Sequence, residues 1–145
     1  MIRILIADDH AIVRAELKQL LALVDDLQVS AEASSGEQVL ALLQGARVDL
    51  VLLDMSMPGP SGVELIGRIR AQYGALPVLV FSVRNEVQVA RSAFKAGASG
   101  YLTKDNEPEV LIAAIRQTVA GQRCIDALLV DQLGFGPAGA DPAGT

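Results

Sequence analysis

The chain alternates between short apolar runs and longer amphipathic segments. Five runs rich in β-branched residues or leucine predict β-strands at 2–7, 27–33, 49–54, 77–82 and 99–103. Apolar residues recur at helical spacing in five further segments, at 11–23, 36–45, 62–72, 86–96 and 108–120. Strands that alternate with helices predict an α/β domain with a doubly wound, five-stranded parallel sheet. The first, third and fourth runs are almost continuously apolar, as expected for strands buried on both faces.

Residues at the ends of the predicted helices support these assignments. Two Ser-x-x-Glu pairs predict capping boxes at the second and third helices, Ser34 with Glu37 and Ser61 with Glu64. Pro108 stands near the start of the last helix, where a missing N–H costs nothing. Gly97 can take the left-handed conformation that ends a helix.

The end of the chain differs from the rest. After Ile125 the periodicity weakens, and the last twelve letters, GFGPAGADPAGT, are rich in glycine, proline and alanine. We therefore predict one domain at 1–124 and a linker or tail at 125–145.

Composition narrows the class of protein. The sequence has 145 residues, a net charge of −5 and one cysteine, Cys124. The negative charge argues against direct binding of nucleic acid, and a single cysteine excludes a disulfide framework. No apolar run approaches the ~20 residues of a membrane span, and residues 1–7 lack the features of a secretory signal. These features predict a cytoplasmic protein with no membrane partner.

Polar side chains follow the predicted strands at one edge of the sheet. Doubly wound sheets bind ligands beyond the carboxyl ends of their strands, and in the flavodoxin-like order 2-1-3-4-5 the first and third strands are neighbours. Each group alone is more typical of a helix cap or a solvated surface. Their joint placement predicts a site formed by five residues: Asp8, Asp9, Asp54, Ser82 and Lys104.

The chemistry of this set favours phosphoryl transfer. Three carboxylates held together repel one another, and a few carboxylate oxygens with positions left for water suit Mg²⁺. Lys104 supplies a positive charge and Ser82 a hydroxyl, which can neutralise the oxygens of a transferring phosphoryl group. Asp54 is then the candidate nucleophile, and its product is an aspartyl phosphate.

Four stretches of the sequence, ILIADDH, DLVLLDMSMPGPSG, VLVFS and AGASGYLTKD, resemble the receiver domain of bacterial two-component response regulators over about residues 2–121. The sequences of the first and last stretches are most similar to the NarL/FixJ (LuxR-type) subfamily. The resemblance implies a CheY-like fold and no activity as an enzyme beyond self-phosphorylation and autodephosphorylation.

The resemblance also implies the ligands of the site. Asp54 would accept a phosphoryl group from a sensor histidine kinase. Asp9, Asp54 and the backbone carbonyl of Ser56 would bind Mg²⁺ directly, while Asp8 would act through water.

Switching residues follow from the same resemblance. Lys104 would contact the phosphoryl oxygens, Ser82 would reorient towards them, and Tyr101 would swing inwards. Val83 and Arg84 would control access to Asp54. The helix from Arg84, the strand at Tyr101 and the last helix would form an output face for partner binding or for homodimerisation on activation. An alternative for Tyr101 is a half-buried strand aromatic with its hydroxyl in water.

The sequence departs from the family pattern at three places. Asp105 follows Lys104 where many receivers have a proline and a cis peptide bond, and such a bond is costly for other residues. Val83 is larger than the usual residue and predicts slow phosphoryl turnover. The chain also stops before a DNA-binding helix-turn-helix domain, so DNA would be bound only through an output domain absent from this chain. Both a receiver cut in its linker and a stand-alone receiver fit the sequence.

Three alternative functions remain open. A phosphatase of the haloacid dehalogenase type would use Asp54 as nucleophile, but Ser56 stands where its second acid is needed. A receiver-like interaction module would keep the fold without being phosphorylated. A nucleotide- or flavin-binding protein would need a phosphate-binding loop after the first strand, and Asp8 and Asp9 oppose phosphate there. His10 is predicted to cap the first helix or to contact the acid pair rather than to donate phosphate.

Overall fold

The computed structural model describes residues 1–60, 62–83, 86–127, 129–130 and 133. Within them, six strands form one parallel sheet in the order β2-β1-β3-β4-β5-β6. The strands are β1 (Ile2–Ala7), β2 (Leu27–Ala33), β3 (Leu50–Leu53), β4 (Val78–Ser82), β5 (Gly100–Thr103) and β6 (Cys124–Ile125). The helices are α1 (Ala11–Leu21), α2 (Gly36–Gly45), α3 (Gly62–Gln72), α4 (Val87–Ala96) and α5 (Pro108–Val119).

The α/β class and the strand order 2-1-3-4-5 are confirmed. The predicted number of strands is wrong by one, because β6 pairs in parallel with β5 beyond the expected edge of the sheet. Two residues are too short a run to show the period of two by which strands are recognised in a sequence. β6 is placed by its pairing with Gly100 and Tyr101.

Both faces of the sheet are covered by helices, which accounts for the nearly continuous apolar strands. Leu5 and Ala7 of β1 belong to one buried cluster, which includes residues of α2, α3 and α4. Ile4 and Ile6 belong to a second cluster with residues of α1 and α5. Successive side chains of the strand therefore enter opposite layers of the core.

Helix ends agree with the sequence predictions at α4 and α5 and differ at α2. Gly97 has φ 117° and ends α4 in the left-handed conformation, and Pro108 is the first residue of α5. The predicted cap at Ser34 is wrong: Ser35 caps α2, and its side chain accepts a hydrogen bond from Gln38 N. Gln38 Oε1 in turn accepts from Ser34 N at 2.7 Å, so glutamine has the role predicted for Glu37. The predicted cap at Ser61 lies outside the described residues.

Part of the segment expected to be linker packs on the domain. Asp126 is 1 % exposed, and Leu129 and Leu133 are buried in the same cluster as Tyr101. In the described part of the chain, no helix is long and apolar enough to cross a membrane.

Candidate functional site

The carboxyl ends of four strands bring the predicted site residues together. Asp8 follows β1, Asp54 follows β3, Ser82 ends β4 and Lys104 follows β5. Backbone hydrogen bonds extend the pairing past the strand ends: Asp54 N donates to Ala7 O at 2.9 Å, and Lys104 N donates to Ser82 O at 2.8 Å. The sheet therefore fixes the spacing of these side chains.

Lys104 lies between two buried carboxylates. Its Nζ is 2.6 Å from Asp8 Oδ2 and 3.6 Å from Asp54 Oδ2, and each aspartate side chain is 3 % exposed. A charge-assisted hydrogen bond of 2.6 Å is short and strong, so the ammonium is held mainly by Asp8. It remains close enough to Asp54 to neutralise negative charge that develops there.

Asp8 is stabilised in its charged form. Burial raises the pKa of its carboxyl, but hydrogen bonds from the Lys104 ammonium and the His10 amide outweigh that effect and leave the pKa below its ordinary value. His10 N donates to Asp8 Oδ1 at 2.8 Å. Asp8 is therefore a carboxylate at neutral pH.

Four side chains offer ligand atoms that all lie within 4.8 Å of one another: Asp8, Asp9, His10 and Asp54. Three of these donors are carboxylates, and hard oxygen donors in small number fit Mg²⁺. His10 occupies the position before α1, but its side chain makes no capping hydrogen bond. Its Nδ1 lies 3.1 Å from both Asp8 Oδ1 and Asp9 Oδ1, which agrees with the predicted contact to the acid pair.

The two oxygens of Asp54 have different surroundings. Oδ1 accepts from Ser56 N at 3.3 Å and from Ser56 Oγ at 3.1 Å, whereas Oδ2 faces Lys104. The serine thus orients the carboxylate through its amide and hydroxyl. The contacts to Asp54 use the amide and hydroxyl of Ser56, so they leave its backbone carbonyl, which the family resemblance assigns to Mg²⁺, out of these bonds.

The switch residues predicted from the sequence differ in exposure. Ser82 and Tyr101 are both 0 % exposed, on the adjacent strands β4 and β5. The half-buried alternative for Tyr101 is therefore wrong, because the side chain is fully buried in the core cluster that includes residues of α2, α3 and α4. Val83 is 72 % exposed. Arg84 lies outside the described residues.

Arg14 is a site residue that the sequence reasoning missed. Its Nη1 donates to the backbone carbonyl of Asp8 at 2.6 Å, and its Nε donates to Glu32 Oε1 at 3.2 Å. The arginine therefore anchors the backbone of the acid pair to β2. Its partner is a backbone carbonyl, so no motif in the sequence indicated this contact.

A second polar group beside Lys104 was also missed. The buried Asp126 accepts hydrogen bonds from Thr103 and Asn106, which flank Lys104 and Asp105. Asp105 Oδ1 lies within hydrogen-bonding distance of the same Thr103 hydroxyl, so the two carboxylates share its one hydrogen. The Lys104–Asp105 peptide is trans.

Comparison with known proteins gives one consistent family. Residues 4–116 match the model of the response regulator receiver domain. The nitrate/nitrite response regulator protein NarL of Escherichia coli (strain K12) is 41% identical over 130 residues, which cover 90% of this chain and 60% of the relative. The response regulator GacA of Pseudomonas aeruginosa is 38% identical over 133 residues, covering 92% of this chain and 62% of the relative.

A solved structure extends this likeness to the fold. A two-component response regulator of the LuxR family from Aurantimonas sp. SI85-9A1 superposes with a TM-score of 0.86 at 35% identity, covering 91% of this chain and 94% of that chain. The chain spans about 60% of the length of the curated relatives it matches.

Proposed function

Because the chain belongs to the response regulator receiver domain family, we propose that it is a phosphorylation-controlled switch in which Asp54 accepts a phosphoryl group. The observation that carries the proposal is the Lys104 ammonium between Asp8 and Asp54, 3.6 Å from Asp54 Oδ2. A buried carboxylate beside a fixed cation is the arrangement that in-line phosphoryl transfer needs.

The proposed step is a displacement at phosphorus. One oxygen of Asp54 forms a bond to the phosphorus atom while the bond from phosphorus to the donor breaks, and the electron pair leaves with the donor. With a histidine kinase the broken bond is P–N and the imidazole leaves. With acetyl phosphate it is P–O and acetate leaves. Hydrolysis by water returns the carboxylate and inorganic phosphate.

Each neighbouring side chain has a part in this step. Ser56 holds Asp54 Oδ1 by two hydrogen bonds, which fixes the plane of the carboxylate. The Lys104 ammonium neutralises the phosphoryl oxygens. Ser82 is proposed to supply a hydroxyl to the same oxygens, and Tyr101 to report the change to the surface formed by α4, β5 and α5.

A divalent cation is proposed as the cofactor, with Mg²⁺ as the natural choice. Asp9, Asp54 and the Ser56 carbonyl would hold it directly, and Asp8 would hold it through water. The cation would supply charge neutralisation between the donor and the carboxylates. The close approach of the donor atoms of Asp8, Asp9 and Asp54 supports this assignment.

The partners are proposed from the family. A sensor histidine kinase would donate the phosphoryl group, and a homodimer would form on activation. Control of transcription would require a DNA-binding output domain in the same protein. A phosphorylation-independent interaction module is the alternative, and the buried ion pair between Lys104 and Asp8 argues against it.

The test of the proposed function is direct chemical modification. The chain is incubated with Mg²⁺ and acetyl phosphate, or with beryllofluoride, and the product is mapped by mass spectrometry and ¹⁹F NMR. We expect one modification, located on Asp54. A chain that stays unmodified, or that is modified elsewhere, would favour the interaction module.

Magnesium binding should be measurable without any phosphodonor. A ligand that binds only the folded state stabilises it, by about 1.4 kcal/mol at ten times its dissociation constant. We expect Mg²⁺ to raise the free energy of urea unfolding of the wild type by this amount and to have little effect on Asp9→Asn. The control is Asp25→Asn, which changes an exposed aspartate outside the cluster and should keep the full response.

Replacing Val83 tests control of access. The side chain is exposed directly after the last residue of β4, where an approaching water or donor would pass. We expect Val83→Ala to shorten the lifetime of the phosphorylated chain several-fold, measured by loss of label after removal of the donor. A wild-type lifetime no longer than that of Val83→Ala would overturn the prediction that Val83 slows turnover.

A further inference from the structure

Asp126 is a buried carboxylate outside the residues 4–116 that match the receiver family. Its Oδ2 accepts hydrogen bonds from Thr103 N at 2.9 Å, from Thr103 Oγ1 at 2.9 Å and from Asn106 Nδ2 at 2.6 Å. A carboxylate that is 1 % exposed is costly unless such bonds satisfy it. The three donors therefore hold Asp126, and Asp126 holds them.

The residues held by Asp126 are the two ends of the turn that carries Lys104. Thr103 is the last residue of β5, and Asn106 Nδ2 also donates to Thr103 O at 3.0 Å, which closes the turn. The side chain of Lys104 starts from the backbone of this turn, so a shift of the turn also moves the origin of the flexible stem that carries the ammonium.

Asp126 also belongs to the segment that follows β6. Its backbone N–H donates to Tyr101 O at 2.8 Å, and its carbonyl accepts from Leu129 N at 2.9 Å. Leu129 and Leu133 are 2 % and 8 % exposed and belong to the buried cluster that contains Tyr101. The Asp126 side chain thus joins the Lys104 turn to the residues that follow β6.

We propose that Asp126 is a positioning residue that clamps the Lys104 turn to the segment 124–127, so that the state of Asp54 and the docking of this segment depend on each other. The coupling rests on the proposed phosphorylation of Asp54, whereas the clamp itself does not. Coupling between two sites is reciprocal: if modification of Asp54 weakens the clamp, breaking the clamp must favour modification of Asp54 by the same factor.

The direction of the coupling follows from the ammonium of Lys104. In the unmodified chain it lies 2.6 Å from Asp8 and 3.6 Å from Asp54. A modified Asp54 draws it towards the new oxygens and away from Asp8, which displaces the turn on which Thr103 and Asn106 lie. The segment 124–127 should then be held less firmly.

Cys124 provides a native probe of this segment. It is the one cysteine of the sequence, and it lies half-buried in β6. Burial, followed by the nearby charge of Asp126, raises the pKa of its thiol to about 11. Variants that keep the charge of Asp126 are therefore required, because a change of that charge alters the thiolate fraction as well as the docking.

Thr103→Val keeps the shape of the side chain and removes the hydroxyl that Asp126 and Asp105 share, while the Thr103 N–H bond to Asp126 stays. Thr118→Val is the matched control, since Thr118 is also buried but its hydroxyl donates only to Ala114 O and Ile115 O within α5. We expect a thiol reagent to label Cys124 about tenfold faster in Thr103→Val, the effect of a lost bond to a charged group, and at the wild-type rate in Thr118→Val. Equal rates in all three chains would overturn the clamp.

The coupling is tested by repeating the labelling with Mg²⁺ and beryllofluoride. We expect modification of wild-type Asp54 to accelerate the labelling of Cys124, and Thr103→Val to show a smaller acceleration. Modified Asp54 with unchanged labelling would overturn the coupling and leave the proposed function intact. If beryllofluoride does not modify Asp54, both the coupling and the proposed function are overturned. The labelling rates measured without beryllofluoride still decide whether the clamp exists.

Discussion

The Asp54→Ala variant is expected to take up no phosphoryl group from acetyl phosphate and no beryllofluoride. Asp54 is buried at the end of β3, with one oxygen held by Ser56 and the other facing Lys104. The other carboxylates of the cluster do not share this arrangement: Asp8 is paired with Lys104, and Asp9 contacts His10. None of them should replace Asp54 as the nucleophile, so the loss should be complete.

Asp49→Ala is the matched control for this prediction. Asp49 precedes β3 as Asp54 follows it, and its Oδ2 accepts a hydrogen bond from Arg3 N at 2.8 Å. Removing it should cost about 1 kcal/mol of stability and leave modification of Asp54 unchanged. Intact-mass measurement and circular dichroism of both variants separate lost chemistry from lost fold. If Asp54→Ala were modified to the same extent as the wild type, the phosphoryl acceptor would be a residue other than Asp54.

The elements of the fold were predictable because their patterns are long and local. The bounds of β1 and β2 agree with the apolar runs at 2–7 and 27–33. The cap of α2 was misplaced by one residue because Ser34 and Ser35 are adjacent and both precede a glutamate or glutamine at the required spacing. Only the geometry distinguishes them, since Ser35 Oγ is the acceptor for Gln38 N.

The site was predictable wherever the sheet topology places residues together. Parallel strands end at one edge, so Asp8, Asp54 and Lys104 converge whatever their separation in sequence. Arg14 and Asp126 were not predictable in this way. Arg14 acts through the backbone carbonyl of Asp8, and Asp126 acts through the ends of a turn. A backbone carbonyl or amide carries no sequence signal, because any residue offers one. The side-chain donors to Asp126, Thr103 and Asn106, lie 23 and 20 residues before it, so no local spacing links them.

Tyr101 shows a different limit. A tyrosine has an apolar ring and a polar tip, and strand aromatics are often half-exposed. Whether Tyr101 is half-buried or fully buried depends on what covers its face of the sheet. The backbone of Tyr101 pairs with Ile125 of β6, and its side chain belongs to the buried cluster that includes Leu129 and Leu133. Part of what covers Tyr101 is therefore the late segment, whose sequence pattern is the weakest.

The second large effect is expected for Lys104→Met. Removal of an oxyanion-stabilising cation typically costs about 10²–10³ in rate, and we expect that loss in the phosphorylation of Asp54 by acetyl phosphate. Methionine keeps much of the stem of lysine, so the turn should stay packed. Lys18→Met is the control, because Lys18 Nζ pairs with Glu32 at 2.9 Å on the surface, away from Asp54. Its rate should equal that of the wild type.

The same variant should change how stability depends on pH. In the wild type the pKa of Asp8 is lowered, so its contribution to stability is present above the pKa of the unfolded chain and is lost as pH falls through the folded value. Without Lys104, burial still raises the pKa of Asp8, and of the contacts that lowered it only those with His10 are left. We therefore expect the pKa of Asp8 to be higher in the variant than in the wild type. We expect the free energy of urea unfolding to be lower for Lys104→Met than for the wild type at pH 7. This difference between the two chains should become smaller as the pH falls to 4. A difference independent of pH would mean that Lys104 stabilises the fold by packing rather than through its charge on the carboxylates it bridges.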